Sequence, residues 1–226
     1  MRSPHRDTAR GLLTLCALAA FWAGCQNQPH ANDAPARAAS AGSVAPATSA
    51  STTGASPSLF EMTFELTDQD GRTRHIADFR GKPFVASMIY TNCTSVCPRV
   101  TADLQALERA LPTGDRGSVR FVLFSLDPER DTPEALRRFA RERGLDPDRW
   151  TLLSTDADDM RTLAAVLGVR FRPEEGGEIA HTATIAVVDA DGVVRHQQKG
   201  LTGDSAPLLA ALRAARVAPR AATAQR

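Results

Sequence analysis

Beyond its first 25 residues, this 226-residue chain has no stretch approaching the roughly 20 consecutive apolar residues that a helical membrane span requires. It has no Lys/Arg block and no basic stripe, and its formal net charge is only +1. That balance argues against nucleic acid as a main partner. Residues 1–24 hold three arginines against one aspartate, a charge of +2, so the remainder carries about −1 and is nearly neutral. No internal repeat is present. Cysteine is scarce, with four in the chain, at positions 16, 25, 93 and 97. One close pair does not make a disulfide-stapled scaffold.

The first 25 residues read as a targeting segment. Arg2, Arg6 and Arg10 form a positive start, and Gly11 to Gly24 is an apolar run of 14 residues, too short for a comfortable span. It ends Trp22-Ala23-Gly24-Cys25. Small residues before a cysteine resemble a bacterial lipoprotein signal, so residues 1–24 are expected to be removed and Cys25 to carry lipid. The chain is then expected on the periplasmic side of a bacterial membrane. From residue 25 to 57 the sequence is rich in Ala, Ser, Thr, Pro and Gly, a composition that buries no core. As a flexible coil it reaches roughly 30 Å. Residues 217–226 also look unstructured. The expected globular domain is 58–216.

Within that domain strand and helix patterns alternate. Phe60 to Leu66 and Thr73 to Ile76 flank Asp70-Gly71, a hairpin signal. Phe84 to Tyr90 is an apolar run of strand length. Val96, Val100, Leu104, Leu107 and Leu111 fall on one face of a helix over 95–111. Val119 to Leu126 reads as a buried strand. Asp131-Thr132-Pro133-Glu134 opens a helix that stops at Gly144. Thr151 to Leu153 suits a short strand, and Asp156 to Leu167 a helix. Pro173 to Glu178 reads as a polar loop. Thr182 to Asp189 and Val193 to Lys199 form a second hairpin around Asp191-Gly192, and Asp204 to Ala215 closes as a helix. This order predicts an α/β, thioredoxin-like fold: a mixed central sheet with helices on both faces and an N-terminal β-hairpin.

Cys16 lies in the segment to be removed and Cys25 has its own fate, so Cys93 and Cys97 remain for chemistry. At a helix start, positions i and i+4 share a face about 6 Å apart. That spacing permits a disulfide or the holding of one soft metal ion, and the helix N-terminus favours thiolates. Copper, as Cu(I) or Cu(II), asks for a third donor such as imidazole. Of the five histidines, His5 and His30 fall in the leader and linker, and His75 and His196 sit in polar surroundings expected to be exposed. His181 precedes an apolar central strand, whose entry faces the Cys-bearing helix start in thioredoxin-like folds.

Three motifs then occur in order: Tyr90-Thr91-x-Cys93-x-x-Val96-Cys97-Pro98, Asp127-Pro128-Glu129-Arg130-Asp131-Thr132-Pro133, and His181-Thr182 before a strand ending Asp189-x-x-Gly192. Together they resemble the Sco/SenC family over roughly residues 58 to 216. The resemblance implies copper binding by Cys93, Cys97 and His181. It also implies a metallochaperone role toward a client such as cytochrome c oxidase subunit II. The alternative it implies is a thiol-disulfide reductase of a copper-site partner, with Cys93 and Cys97 as the redox-active pair. Asp127 and Asp131 match the family's acidic run but read adequately as strand end and helix cap. The chain departs from many relatives where Thr94-Ser95 replaces Pro-Asp and Ala180 replaces an Asp, each change removing a nearby negative charge. A Pro-x-x-x-Thr-x-x-Cys pattern is missing, which speaks against a peroxiredoxin-like peroxidase.

Overall fold

The computed structural model describes residues 57–217. The expected targeting segment, the expected lipid site at Cys25 with nearly all of its linker, and the tail beyond residue 217 lie outside the described residues. Among the described residues, no helix is long and apolar enough to cross a membrane.

Among the described residues, nine strands and four α-helices follow one another. A short ribbon, β1 (Leu66–Asp68) and β2 (Thr73–Arg74), is followed by β3 (Phe84–Ile89), α1 (Val96–Ala110), β4 (Arg120–Ser125), α2 (Pro133–Glu142) and β5 (Trp150–Ser154). Then come α3 (Ala157–Val166), β6 (Phe171–Pro173), β7 (Ile179–His181), β8 (Thr184–Val188), β9 (Val194–Lys199) and α4 (Ala206–Val217). Seven strands form one sheet in the order β2-β1-β5-β4-β3-β8-β9, and β6 and β7 form a separate two-stranded ribbon. β3, β4 and β5 run parallel, while β8 lies antiparallel to β3 and β9 antiparallel to β8. All residues of β3 and β8 are buried, and five of the six in β4. Both sheet faces are therefore covered, as the unbroken apolar runs require. Helix α4 packs against β8 and β9, and α2 against β5. This is the mixed α/β, thioredoxin-like architecture expected.

The sheet order places the site. β3 and β4 are parallel neighbours, so the segments leaving them, Tyr90 to Cys97 and Leu126 to Asp131, emerge at the same sheet edge. β8 runs the other way, with Ser87 paired to Ile185. Its entry, just after His181, therefore lies at the exit of β3. Chemistry in open α/β sheets collects at such carboxyl ends, where neighbouring connections diverge.

Four details differ from the sequence expectation. The first hairpin is short, because Leu59 and Phe60 enter a 3₁₀ turn (Leu59–Glu61) instead of a strand. Both are buried, which a half-exposed strand does not allow for consecutive residues. Phe60 meets Phe84 with ring centroids 6.4 Å apart. The polar loop Pro173 to Glu178 is the connection within a β6–β7 ribbon, whose three-residue strands on either side carry no apolar alternation. Thr132, not Asp131, caps α2, its hydroxyl accepting from the Ala135 N–H at 3.3 Å. His196 is half-buried on β9 opposite Val187, with its Nε2 enclosed, because α4 lies against that strand. His75 is exposed, as expected.

Candidate metal centre

Cys93, Cys97 and His181 come together at this edge, with Sγ, Sγ and an imidazole nitrogen all within 4.8 Å of one another. Cys97 Sγ lies 3.5 Å from His181 Nε2. Cys93 is not itself helical, since α1 begins at Val96. It sits in the preceding turn, where its N–H donates to the Tyr90 carbonyl at 3.2 Å. Its sulfur accepts the Cys97 N–H at 3.2 Å and so serves one of the orphan donors of the first helical turn. The two thiols are free and both residues are buried.

Their acidities are split. Burial raises the Cys93 thiol, but hydrogen bonds from the Cys97 side chain, from the Cys97 and Ser95 amides and from Tyr90 outweigh it, leaving Cys93 below the ordinary thiol value of 9.0. Burial pushes Cys97 well above that value, reinforced by its hydrogen bond to Cys93. Cys93 is thus the first thiolate to form. Burial also lowers His181 below 6.5, so the imidazole is neutral at pH 7. Its Nδ1 lies 3.3 Å from the Thr182 carbonyl, which only accepts, so the ring proton resides on Nδ1. Nε2 is left with its lone pair toward Cys97. A carbonyl that fixes the tautomer of an imidazole is the usual support behind a metal-binding histidine.

Two supporting networks were not legible in the sequence. The first is Asp131, which is 1% exposed. Its Oδ1 accepts from the Thr91 N–H at 3.0 Å and the Thr91 hydroxyl at 2.6 Å, and its Oδ2 from the Ser125 hydroxyl at 2.6 Å. The second motif therefore braces the first: a carboxylate from the β4 exit fixes the turn that carries the cysteines. Burial raises the Asp131 carboxyl above 3.8 despite these three bonds.

The second network holds the histidine. His181 ends β7 opposite Phe171. The chain's single tyrosine, Tyr90, sets its ring edge-on to the His181 imidazole at 5.9 Å. Its hydroxyl donates to Glu178 at 2.6 Å and accepts the Ile179 N–H at 3.2 Å. A lone tyrosine at a strand exit was the one sequence signal for this role. On the outer side, Arg130 bonds the Gly177 carbonyl and pairs with Asp127. Gly177 has φ of 81°, and a side chain there would also collide with the Arg130 guanidinium. An open cavity of about 310 Å³ lies over the site, with Ser95, Ala180, Glu174 and Glu178 in its wall. Ser95 and Ala180 remove acids near the site, yet the ribbon returns two carboxylates to the same cavity.

Comparison with known proteins agrees with this geometry. A SCO1 protein homolog of Bacillus subtilis is 30% identical over 141 residues, covering 61% of this chain and 72% of the relative. The structure of Bradyrhizobium japonicum ScoI with copper bound superposes with a TM-score of 0.57 at 29% identity, covering 68% of this chain and 97% of the other. BsSco is described with a disulfide switch and as a member of the Sco family of cytochrome c oxidase assembly proteins. It superposes with a TM-score of 0.62 at 26% identity, covering 71% and 95%. The SCO1/SenC family model matches residues 52–216, and the chain belongs to that family.

Proposed function

We propose that this protein is a copper metallochaperone. In this reading Cys93, Cys97 and His181 bind copper, and the domain delivers it to, or helps assemble, a copper centre such as that of cytochrome c oxidase. The observation that carries the reading is the set of three donor atoms within 4.8 Å: two soft sulfurs and one neutral imidazole whose tautomer is fixed from behind. Two thiolates and an imidazole suit copper in either oxidation state. The copper-bound ScoI relative supports the choice of metal, and the description of BsSco supports the class of client. Lipid on Cys25 would hold the domain on the periplasmic face of a membrane, within reach of a membrane-bound client. That part rests on the leader sequence.

Copper titration of the reduced protein tests the reading. One copper per chain is expected, with tight binding lost in Cys93→Ser and Cys97→Ser and weakened in His181→Ala. Equal affinity in parent and variants would sink it.

The split thiol acidities support a second reading, reduction of a copper-site partner. The Cys93 thiolate attacks one sulfur of the partner's disulfide and forms a mixed disulfide, releasing one partner thiolate. Cys97 gives up its proton and displaces the second partner sulfur, leaving a Cys93–Cys97 disulfide and a reduced dithiol. The partner gains two electrons and this protein loses two. A Cys93–Cys97 potential too oxidising to reduce such a disulfide would exclude this reading.

A further inference from the structure

The chain's only tyrosine does more than fill the core. Tyr90 is 2% exposed, yet its hydroxyl reaches the β6–β7 ribbon, which belongs to no part of the main sheet. There it makes two bonds of opposite sense, donating to the exposed Glu178 carboxylate and accepting from the backbone of Ile179. Ile179 begins the three-residue strand that His181 ends. The same ring touches the imidazole edge-on, and the Tyr90 carbonyl accepts from Cys93. One residue thus contacts the cysteine turn through its carbonyl and its hydroxyl, and the histidine strand through its side chain.

We propose that Tyr90 and Glu178 form a latch that holds the β6–β7 ribbon in place and so sets His181 Nε2 against the Cys97 sulfur. They are positioning residues and supply no donor atom. This proposal rests on the copper reading for its consequence, though not for its geometry. The ribbon's other supports are modest: six paired residues, none of them fully buried, with Phe171 and Ile179 packed against the core edge, and the Arg130 contact at its rim. Without the phenol hydroxyl the Ile179 N–H loses its acceptor and Glu178 its donor. His181 then samples positions away from the two sulfurs, while the cysteine turn loses only the phenol beside Cys93 and keeps its Asp131 brace.

Tyr90→Phe keeps the ring and removes the hydroxyl. Loss of a hydrogen bond to a charged group is expected to lower copper affinity about tenfold. In the copper-free protein, Ile179 amide exchange is expected to quicken by a similar factor, about tenfold. Magnetic contacts between the His181 ring and the Cys97 side chain should weaken, and in the Cu(II) form the imidazole nitrogen coupling should decline. Glu178 is solvent-exposed, so its variants fold whatever Tyr90→Phe does. Glu178→Ala should give a smaller loss than the tyrosine variant, because the hydroxyl still accepts from the Ile179 N–H. Glu178→Gln keeps an acceptor oxygen and should stay within about threefold of the parent. The double variant Tyr90→Phe/Glu178→Ala should be no worse than Tyr90→Phe alone, because the phenol hydroxyl carries both bonds of the latch. Parent-like exchange at Ile179 in Tyr90→Phe, or losses that add in the double variant, would overturn the latch. A parent that binds no copper through these residues would instead overturn the copper reading, and the exchange and ring-contact measurements would still decide the latch.

Discussion

Cys93 and Cys97 hang from the exit of a six-residue strand in which every residue is buried, whereas His181 sits at the end of a three-residue strand in which none is. The cysteine turn is fixed from below by Asp131, itself 1% exposed, and Cys97 belongs to the first turn of a 15-residue helix. The histidine strand is fixed by one buried phenol, by partial packing of Ile179 and Phe171 on the core edge, and by the rim residues Glu178 and Arg130. Local stability follows buried apolar contact and protected hydrogen bonding, so these regions open at different free energies. The two sulfurs move only with the core. On the latch proposed above, the imidazole leaves with the ribbon while the fold stays intact. On the metallochaperone reading proposed above, that inequality would let one donor withdraw while two remain.

The comparison breaks first at Asp131. Asp131→Ala strands three donors beneath the cysteine turn and should cost about 3 kcal/mol of stability, at roughly 1 kcal/mol or more for each unsatisfied group. Urea denaturation of the copper-free protein measures it, and a loss below 1 kcal/mol would show that the turn does not depend on this brace. Asp131→Asn keeps an acceptor for Thr91 and should recover at least half of the loss. The pH dependence sharpens the point. The folded carboxyl titrates above 3.8 because it is buried, so the unfolded chain sheds this proton first as pH rises. Stability from this group is present below 3.8 and is lost as pH rises through the higher folded value. Asp131→Asn lacks that decline, and the difference between the two stability curves isolates it.

The next effect concerns the sulfurs. Cys97 carries its proton to well above 9.0, and metal binding must displace it. Affinity for Cu(I) should therefore rise with pH, by about tenfold or 1.4 kcal/mol per unit for each proton released. His181, lowered by burial, is neutral through this range and adds no slope near pH 7. In His181→Ala the slope should be unchanged while the affinity drops, which separates the core donors from the ribbon donor. Competition titrations at three pH values suffice, and a flat profile would mean that Cys97 is not a ligand.

How far the sequence foretold this site divides along the same line. The cysteine half was legible, because an unbroken apolar run into a Cys-x-x-x-Cys turn and an apolar helical face leave little choice of structure. The role of Asp131 was hidden: a helix-cap reading satisfied the local pattern, and the bonds to Thr91 span 40 residues. The histidine half was less legible. A ribbon of three-residue strands rich in Arg, Glu and Gly has no periodicity to read, so residues 173–178 passed for a loop. His181 was chosen from the histidines by its place before β8 and by family resemblance, and its geometric partners, Tyr90 and Glu178, came only with the fold. Local burial writes itself into sequence, whereas a polar ribbon placed by side-chain bonds does not.

The smallest expected effect lies at the rim. Arg130 is 40% exposed on its side chain, pairs with Asp127 and bonds the Gly177 carbonyl. Exposed ion pairs contribute little because solvent competes and salt screens them. Arg130→Gln should therefore loosen the ribbon by under about 1 kcal/mol, without changing global stability by more than that. The Glu174 N–H, which donates to the Glu178 carbonyl at 2.8 Å and closes the ribbon turn, reports the change by amide exchange. Raising the salt to about 1 M, where the screening length falls to roughly 3 Å, should bring parent and variant together. The Tyr90 bond, shielded by its buried ring, should keep most of its protection at the same salt. If Arg130→Gln instead frees the ribbon as fully as Tyr90→Phe does, the hold on His181 is shared between rim and core, and the contrast between a core-anchored thiol pair and a singly latched imidazole gives way.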